Sequence, residues 1–216
     1  MLRLLNHLLV WWKIMISNYK EFKGFLASLD TKPSLLLHTC CAPCSTHTIK
    51  VLKDYFNITV FYSNDNIAPF DEYKKRLDEE IEYCKKFNIP VIYDTYNFND
   101  YLDKVKGHEH DGEKSERCHL CYELRLEKTC KKAKELNFDY FTTSLSISPY
   151  KITRWINEIG YLMEEKYHVK YLFSDFKKEE GYKDSIKMSL EEGMYRQDYC
   201  GCPFSLAERN EKIEKN

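Results

Sequence analysis

Nine cysteines in 216 residues are spread unevenly along this chain, and their spacing is the first thing that could do chemistry. Cys40, Cys41 and Cys44 fall within five positions, Cys118 and Cys121 are two residues apart, and Cys200 and Cys202 flank a glycine. In Cys118-x-x-Cys121 one helical turn brings both sulfurs to the same side, which is the usual grip of two thiolates on one metal or one cluster. At a helix N-terminus the dipole and the free N–H groups also favour thiolate over thiol. A second pair must complete four ligands. Cys40 with Cys41 is one choice, since a chain turning off a strand can aim adjacent side chains at a common centre, and Cys41 with Cys44 is the other. These residues suit zinc and iron–sulfur equally.

Cys200-Gly201-Cys202 tips that balance. Two thiols separated by a glycine can close a tight disulfide, and glycine tolerates the backbone that so small a ring demands. A strained disulfide is readily reduced, which suits a pair that cycles. The alternative is that both are free or act as further ligands. An iron–sulfur cluster beside a cycling dithiol makes a two-electron relay, whereas zinc carries no electrons. Cys84 and Cys130 fall on apolar helical stripes and read as core. His38 could donate to a sulfur or to a backbone carbonyl, and His108 and His110 read as solvated loop residues. Arg125 and Arg196 could hold a phosphate, and Lys74, Lys75 and Arg76 read as a solvated helix face.

The elements that must position these thiols alternate. Leu35-Leu36-Leu37-His38 reads as a buried strand that runs straight into the thiol loop, with a helix over 45–54 behind it. Further strands are expected at 58–63, 90–93, 138–143 and 169–173. Helices are expected at 18–29, 70–88, 101–105, 117–136, 149–167 and 182–192. This order predicts an α/β fold, a three-layer parallel sheet flanked by helices, with cysteine-bearing loops at the strand carboxyl ends. Such a sheet gathers the residues after each strand on one edge, so Cys40, Asn64, 144–150 and Asp175 should surround one crevice.

Length suits one catalytic domain over 34–206, with an N-terminal helical extension (1–33) and a charged tail (207–216). With 33 basic and 34 acidic residues no global field marks a nucleic-acid binder, although local patches can. The opening MLRLLNHLLVWWKIMI lacks a small-residue cleavage site and is too short to span a bilayer; it reads as an amphipathic helix or an over-long start with Met15 as the alternative initiator. Clustered thiols in so large a chain point to a reducing cytoplasm and to no stable membrane partner.

Several motifs together resemble the cobalamin-independent epoxyqueuosine reductases, the QueH family. They are His38-Thr39-Cys40-Cys41-Ala42-Pro43-Cys44, Asn66-Ile67-Ala68-Pro69 with Glu72-Tyr73 and Arg76, Cys118-x-x-Cys121-Tyr122 with Arg125-Leu126, Thr142-Thr143-Ser144-Leu145 with Ser148-Pro149-Tyr150, Asp175-Phe176, and Tyr195-Arg196-Gln197-x-Tyr199-Cys200-Gly201-Cys202-x-Phe204-Ser205. The resemblance covers about 34–206. It implies a nucleotide hydrolase-like, Rossmann-like core and a two-electron removal of the epoxide oxygen of epoxyqueuosine at the tRNA wobble position, the last step of queuosine synthesis. It also implies a 4Fe-4S cluster on Cys40, Cys41, Cys118 and Cys121 and a redox-active disulfide between Cys200 and Cys202. The partners implied are the tRNA anticodon loop and an external electron donor. The chain departs from the family pattern at Asn64-Asp65-Asn66, where Asn-Pro-Asn is usual, and at Lys177, where Arg is usual. Asp65 or Asp175 with Cys44 could complete a site for an additional metal ion nearby. Two rivals of other classes are a thioredoxin-like oxidoreductase built on Cys41-Ala42-Pro43-Cys44 and a zinc-stapled RNA-binding module. ATP-dependent tRNA thiolation is disfavoured, because no glycine-rich phosphate loop follows the first strand.

Overall fold

A computed structural model of the chain describes residues 19–215, so the expectations for the first sixteen residues lie outside it. Strand β1 (Ser34–Thr39) is the middle of a five-stranded parallel sheet. Its neighbours are β2 (Asn57–Tyr62) and β4 (Tyr140–Thr143), with Leu36 in register with Thr59 on one side and with Phe141 on the other. β3 (Val91–Tyr93) and β5 (Lys170–Tyr171) form the edges, giving the order β3-β2-β1-β4-β5.

Because side chains alternate across a strand, the leucine run of β1 feeds two cores at once. Leu35 and Leu37 pack with α1 (Tyr19–Ala27), α2 (Ala42–Leu52) and α3 (Phe70–Lys85) through Phe22, Leu26, Ile49, Leu52 and Cys84. Leu36 packs on the other face with α5 (Glu116–Glu135) and α6 (Thr153–Tyr167) through Leu126, Cys130, Ile156 and Ile159. Cys84 and Cys130 are thus core residues, as their stripes predict. A short α4 (Phe98–Lys104) precedes α5, and α7 (Gly181–Glu191) lies along α2.

From β1 the chain builds outward to β2 and β3, then returns to the far side for β4 and β5. The order therefore reverses between β1 and β4. Two neighbouring strands whose connections depart in opposite directions leave a crevice beyond their carboxyl ends, the usual ligand site of an open α/β sheet. The cysteine loop leaves β1 at that point, and a 3-10 turn (Ser144–Ile147) leaves β4.

Three of the boundaries that differ from the sequence reading bear on the thiols and the cleft. Helix α2 begins at Ala42, so Cys44 sits in its first turn; Pro43 is tolerated there because the first helical N–H groups need no partner within the helix. Helix α6 begins at Thr153, which leaves Pro149-Tyr150-Lys151 as a turn. The charged C-terminal stretch forms α8 (Pro203–Glu214), opened by Pro203 and capped by Cys202.

Helix α6 approaches β5 closely at Gly160, where a Cβ would lie 2.3 Å from the Tyr171 ring. That ring is buried, and its hydroxyl donates to Asn157 Oδ1 at 3.2 Å, so it cannot swing aside. Gly160→Ala is expected to lower stability by about 1–3 kcal/mol through overpacking, despite alanine's better helix propensity. Urea denaturation measures it, and a more stable variant would refute the close approach.

Candidate active site

The thiol loop is set by Cys41, which is extended (φ −177°, ψ 153°) and serves as the N-cap of α2. The chain turns at once into the helix, with the Cys44 N–H donating to the Cys41 carbonyl at 3.1 Å. Consequently Cys40, Cys41 and Cys44 point their sulfurs inward, all within 4.8 Å of one another, and Cys40 and Cys41 are 3.7 Å apart. Neither Asp65 nor Asp175 joins that trio among the described residues. Thiol hydrogen bonds from Cys41 and Cys44 hold Cys40 well below the ordinary thiol range. Both donors are pushed up by the same bonds. Gln197 reaches across to donate to the Cys41 sulfur at 2.8 Å.

Helix α5 supplies the second pair. Ser115 is its N-cap residue, and Cys118 and Cys121 lie one turn apart in its opening turns. Burial raises Cys118 and pushes Cys121 up to about 12, while the Arg125 guanidinium opposes the latter and Lys151 opposes both. Cys200 lies within electrostatic reach of both, and Cys202 within reach of Cys121. The third pair therefore faces the second, as a shared site requires.

Its loop is tightly held. Gly201 has φ +112°, a conformation that suits glycine, and its carbonyl accepts from Ala68 N at 3.0 Å. A Cβ there would lie 2.9 Å from Ile67 and 3.0 Å from the Arg76 guanidinium. Arg76 donates to the Cys200 carbonyl at 3.3 Å, and Ser205 Oγ accepts from Cys200 N at 3.0 Å. The Cys202 sulfur accepts from Ser205 N at 3.3 Å. Neither Cys200 and Cys202 nor any other two of the nine cysteines are joined by a disulfide in this structure. Lys151 places its ammonium 2.7 Å from the Cys200 sulfur. Burial pulls that lysine's pKa down, but Cys200, Tyr122 and Cys118 outweigh it, and Lys151 stays charged.

Arg125 connects the two halves. It is buried, donates to Asn64 Oδ1, and its charge faces Cys121, Cys40 and Cys200. Below it His38 is also buried, and burial and Arg125 together hold its pKa to about 3. The ring is neutral, with Nδ1 at 2.8 Å from Thr143 Oγ1 and Nε2 at 3.1 Å from the Ser63 carbonyl. His38 thus ties β1 to β4, meets the Ser63 backbone rather than a sulfur, and accepts a hydrogen bond from Arg125 Nε at 3.3 Å.

Beyond the thiols opens a cleft of about 510 Å³, lined by Cys40, Cys44, Tyr150, Lys151, Tyr199 and Cys200 among others. Around the strand ends Thr39 Oγ1, Ser63 Oγ, both side-chain atoms of Asn66, Ser144 Oγ and Asp175 Oδ1 are buried without a hydrogen-bond partner. Buried polar atoms rarely go unpaired, so their gathering here marks a place built to receive something polar.

A profile of the family described as epoxyqueuosine reductase QueH matches residues 35–208. The curated epoxyqueuosine reductase QueH of Streptococcus pyogenes serotype M1 is 43% identical over 182 residues, covering 82% of this chain and 71% of that protein. The chain belongs to the epoxyqueuosine reductase QueH family. The QueH protein of Staphylococcus epidermidis is 40% identical over 81% of this chain and 76% of its own length, and that of Thermotoga maritima 38% identical over 83% and 93%. Among solved structures, the U34-tRNA thiolase NcsA from Methanococcus maripaludis with its [4Fe-4S] cluster shares the fold, with a TM-score of 0.53 at 15% identity over 92% of this chain and 74% of that one.

In this QueH chain two site residues differ from their sequence reading. Arg76 is only 1% exposed, paired with Glu72 at 2.6 Å, rather than part of a solvated face. Lys151 was not singled out, because Pro149 reads as a helix start. The departures from the family pattern are accommodated: Asp65 pairs with Lys128 at 2.5 Å and accepts from Asn97 N at 2.9 Å, and Lys177 donates to Thr153 Oγ1 at 2.6 Å.

Behind the thiol loop Glu80 is fully buried, accepting from Ser45 Oγ at 3.1 Å and from the Cys84 thiol at 3.6 Å. Burial raises its carboxyl to about 8. A raised folded-state pKa contributes stability that is complete below the unfolded value and is lost as pH rises through the folded one. Stability should therefore decline from about pH 5 to about pH 8 through this group. Glu80→Gln should flatten that decline in urea melts across the window; parallel curves for both proteins would refute a neutral Glu80.

Proposed function

We propose that this crevice carries out the two-electron reduction of epoxyqueuosine at the tRNA wobble position, with Cys40, Cys41, Cys118 and Cys121 holding a 4Fe-4S cluster and Cys200 with Cys202 acting as the redox-active pair. Family membership supports the reaction. The single observation that carries the assignment is the convergence on the buried Arg125 guanidinium of one thiol from each cysteine group, Cys40, Cys121 and Cys200, with Lys151 at the Cys200 sulfur.

The residues fit the group. Donors of the first set are thiols alone, and ligation would displace the proton that Cys41 donates to Cys40 in the free state. The fold itself accommodates such a cluster in NcsA. Cys44, packed against the Cys40–Cys41 pair and lining the cleft, is the thiol left over for an additional metal ion. When bound, the cluster would supply one-electron transfer, and the additional metal ion near Cys44 would supply a Lewis acid.

The chain's own residues provide the balance. Removing an epoxide oxygen to leave an alkene consumes two electrons and two protons and releases water. Oxidation of the Cys200 and Cys202 thiols to one disulfide releases the same two electrons and two protons. The substrate's C–O bonds break as the S–S bond forms, and an external electron donor must reduce the disulfide before the next turnover. Lys151 holds the Cys200 sulfur in the cleft, the hydrogen bond from Arg76 to the Cys200 carbonyl fixes the loop, and the Gly201 backbone turns the chain to the buried Cys202 behind it. The target nucleotide must leave the anticodon stack to reach that cleft. Such a reaction belongs in the cytoplasm with tRNA; no described helix is long and apolar enough to cross a membrane.

Mass analysis of nucleosides from epoxyqueuosine-containing tRNA tests the reading. The unaltered enzyme with a reductant should convert the modified base over many turnovers. Cys200→Ser and Cys202→Ser should each abolish multiple turnover while retaining the visible absorption of the cluster. Full turnover by either variant would remove the dithiol from the mechanism.

A further inference from the structure

The turn Ser148-Pro149-Tyr150-Lys151 carries more than its lysine. It runs from the 3-10 turn after β4 to α6, closed by Lys151 N donating to the Ser148 carbonyl at 3.2 Å and Tyr150 N donating to Ser148 Oγ at 3.3 Å. Consecutive side chains go opposite ways along the same cleft. Lys151 runs inward to Cys200 at 2.7 Å, whereas Tyr150 remains 60% exposed at the opening.

Two other tyrosines line the cleft. Tyr199 has its ring engaged by Arg76 at 5.2 Å and by Arg209 at 5.6 Å, and Tyr182 is half-buried. Tyr150 is therefore the aromatic ring that the cleft presents to an incoming base. Base–aromatic stacking is the common way in which a protein receives an unstacked nucleotide. The substrate's shape sets the direction. Its reacting epoxide sits on a cyclopentane ring that hangs from the base through a methylamine link, so the base lies farther out than the reacting carbons. The cleft repeats that order, with an aromatic ring outside and sulfur with its ammonium partner at the floor.

We propose that Tyr150 is the stacking platform for the extruded wobble base, and that the adjacent Lys151, fixed at Cys200, marks where the epoxide tail is delivered. This rests on the reductase reading above.

The test uses the cluster-loaded full chain and an anticodon stem-loop RNA carrying epoxyqueuosine at the wobble position, with Kd from fluorescence anisotropy and conversion followed by mass analysis. Tyr150→Ala is expected to weaken binding about 5- to 100-fold, the range that loss of one base–aromatic stack represents. Tyr150→Phe, which keeps the ring, should stay within about twofold of the unaltered protein. Tyr55→Ala is the control: Tyr55 is 38% exposed just before β2, at the opposite edge of the sheet, and its loss should leave Kd unchanged. An unaltered Kd for Tyr150→Ala, or an equal loss in Tyr150→Phe, would overturn the platform while conversion by the unaltered protein upholds the reductase reading. Absence of conversion by the unaltered protein, with its cluster present, would overturn both.

Discussion

Several thiols buried in one crevice repel one another as soon as more than one ionises, and the guanidinium of Arg125 is the charge that makes their assembly tolerable. Its charge faces Cys40, Cys121 and Cys200 together, and it opposes the burial that raises the Cys121 thiol. A buried cation is itself costly unless its hydrogen bonds and its charge are answered. Asn64 after β2 and the His38 ring accept its hydrogen bonds, and the thiols answer the charge. His38 completes the seat: neutral, it tolerates the guanidinium above it while binding β1 to β4. The central strand, the neighbouring strand's loop and α5 are thereby fixed around one point.

Two further cations, one buried and one half-buried, extend the same logic to the Cys200–Cys202 loop. Arg76 comes from α3 and Lys151 from the turn before α6, and both act on Cys200, one on its carbonyl and one on its sulfur. The dithiol loop leaves α7 and enters α8, so its position is imposed from outside its own elements. This division suits a site where one sulfur set is to be permanently ligated and the other is to cycle. The proposed ligand set lies on α2, α5 and the loop leaving β1, which pack into the two cores, and the proposed cycling pair lies on a loop held by a few polar contacts.

Much of this was legible in the residues. The leucine run of β1 must be buried on both faces, and a buried parallel strand followed by cysteines and a proline-opened helix already places the thiols at a sheet's ligand edge. The pairings across the cleft were legible only as spacings, since Cys118 and Cys200 are brought together by topology. Arg76 was misread because it follows two lysines. Its place on α3, one turn after Glu72 and on the same side as Tyr73 and Glu80, was the available signal. Pro149 misled in a different way: a proline also opens turns, and only the pull of Cys200 on Lys151 decides which it opens here. The helical end was hidden by its charge, although Cys202 and Pro203 together spell an N-cap and a first helical residue.

The central claim is that the two sulfur sets have separate occupants, and counting iron and acid-labile sulfide in anaerobically purified double variants tests it most directly. The account predicts about four irons and four sulfides per chain in the Cys200→Ser/Cys202→Ser protein, equal to the unaltered chain, and near none in the Cys118→Ser/Cys121→Ser protein. A full complement in the latter, or one zinc ion in place of iron, would contradict it.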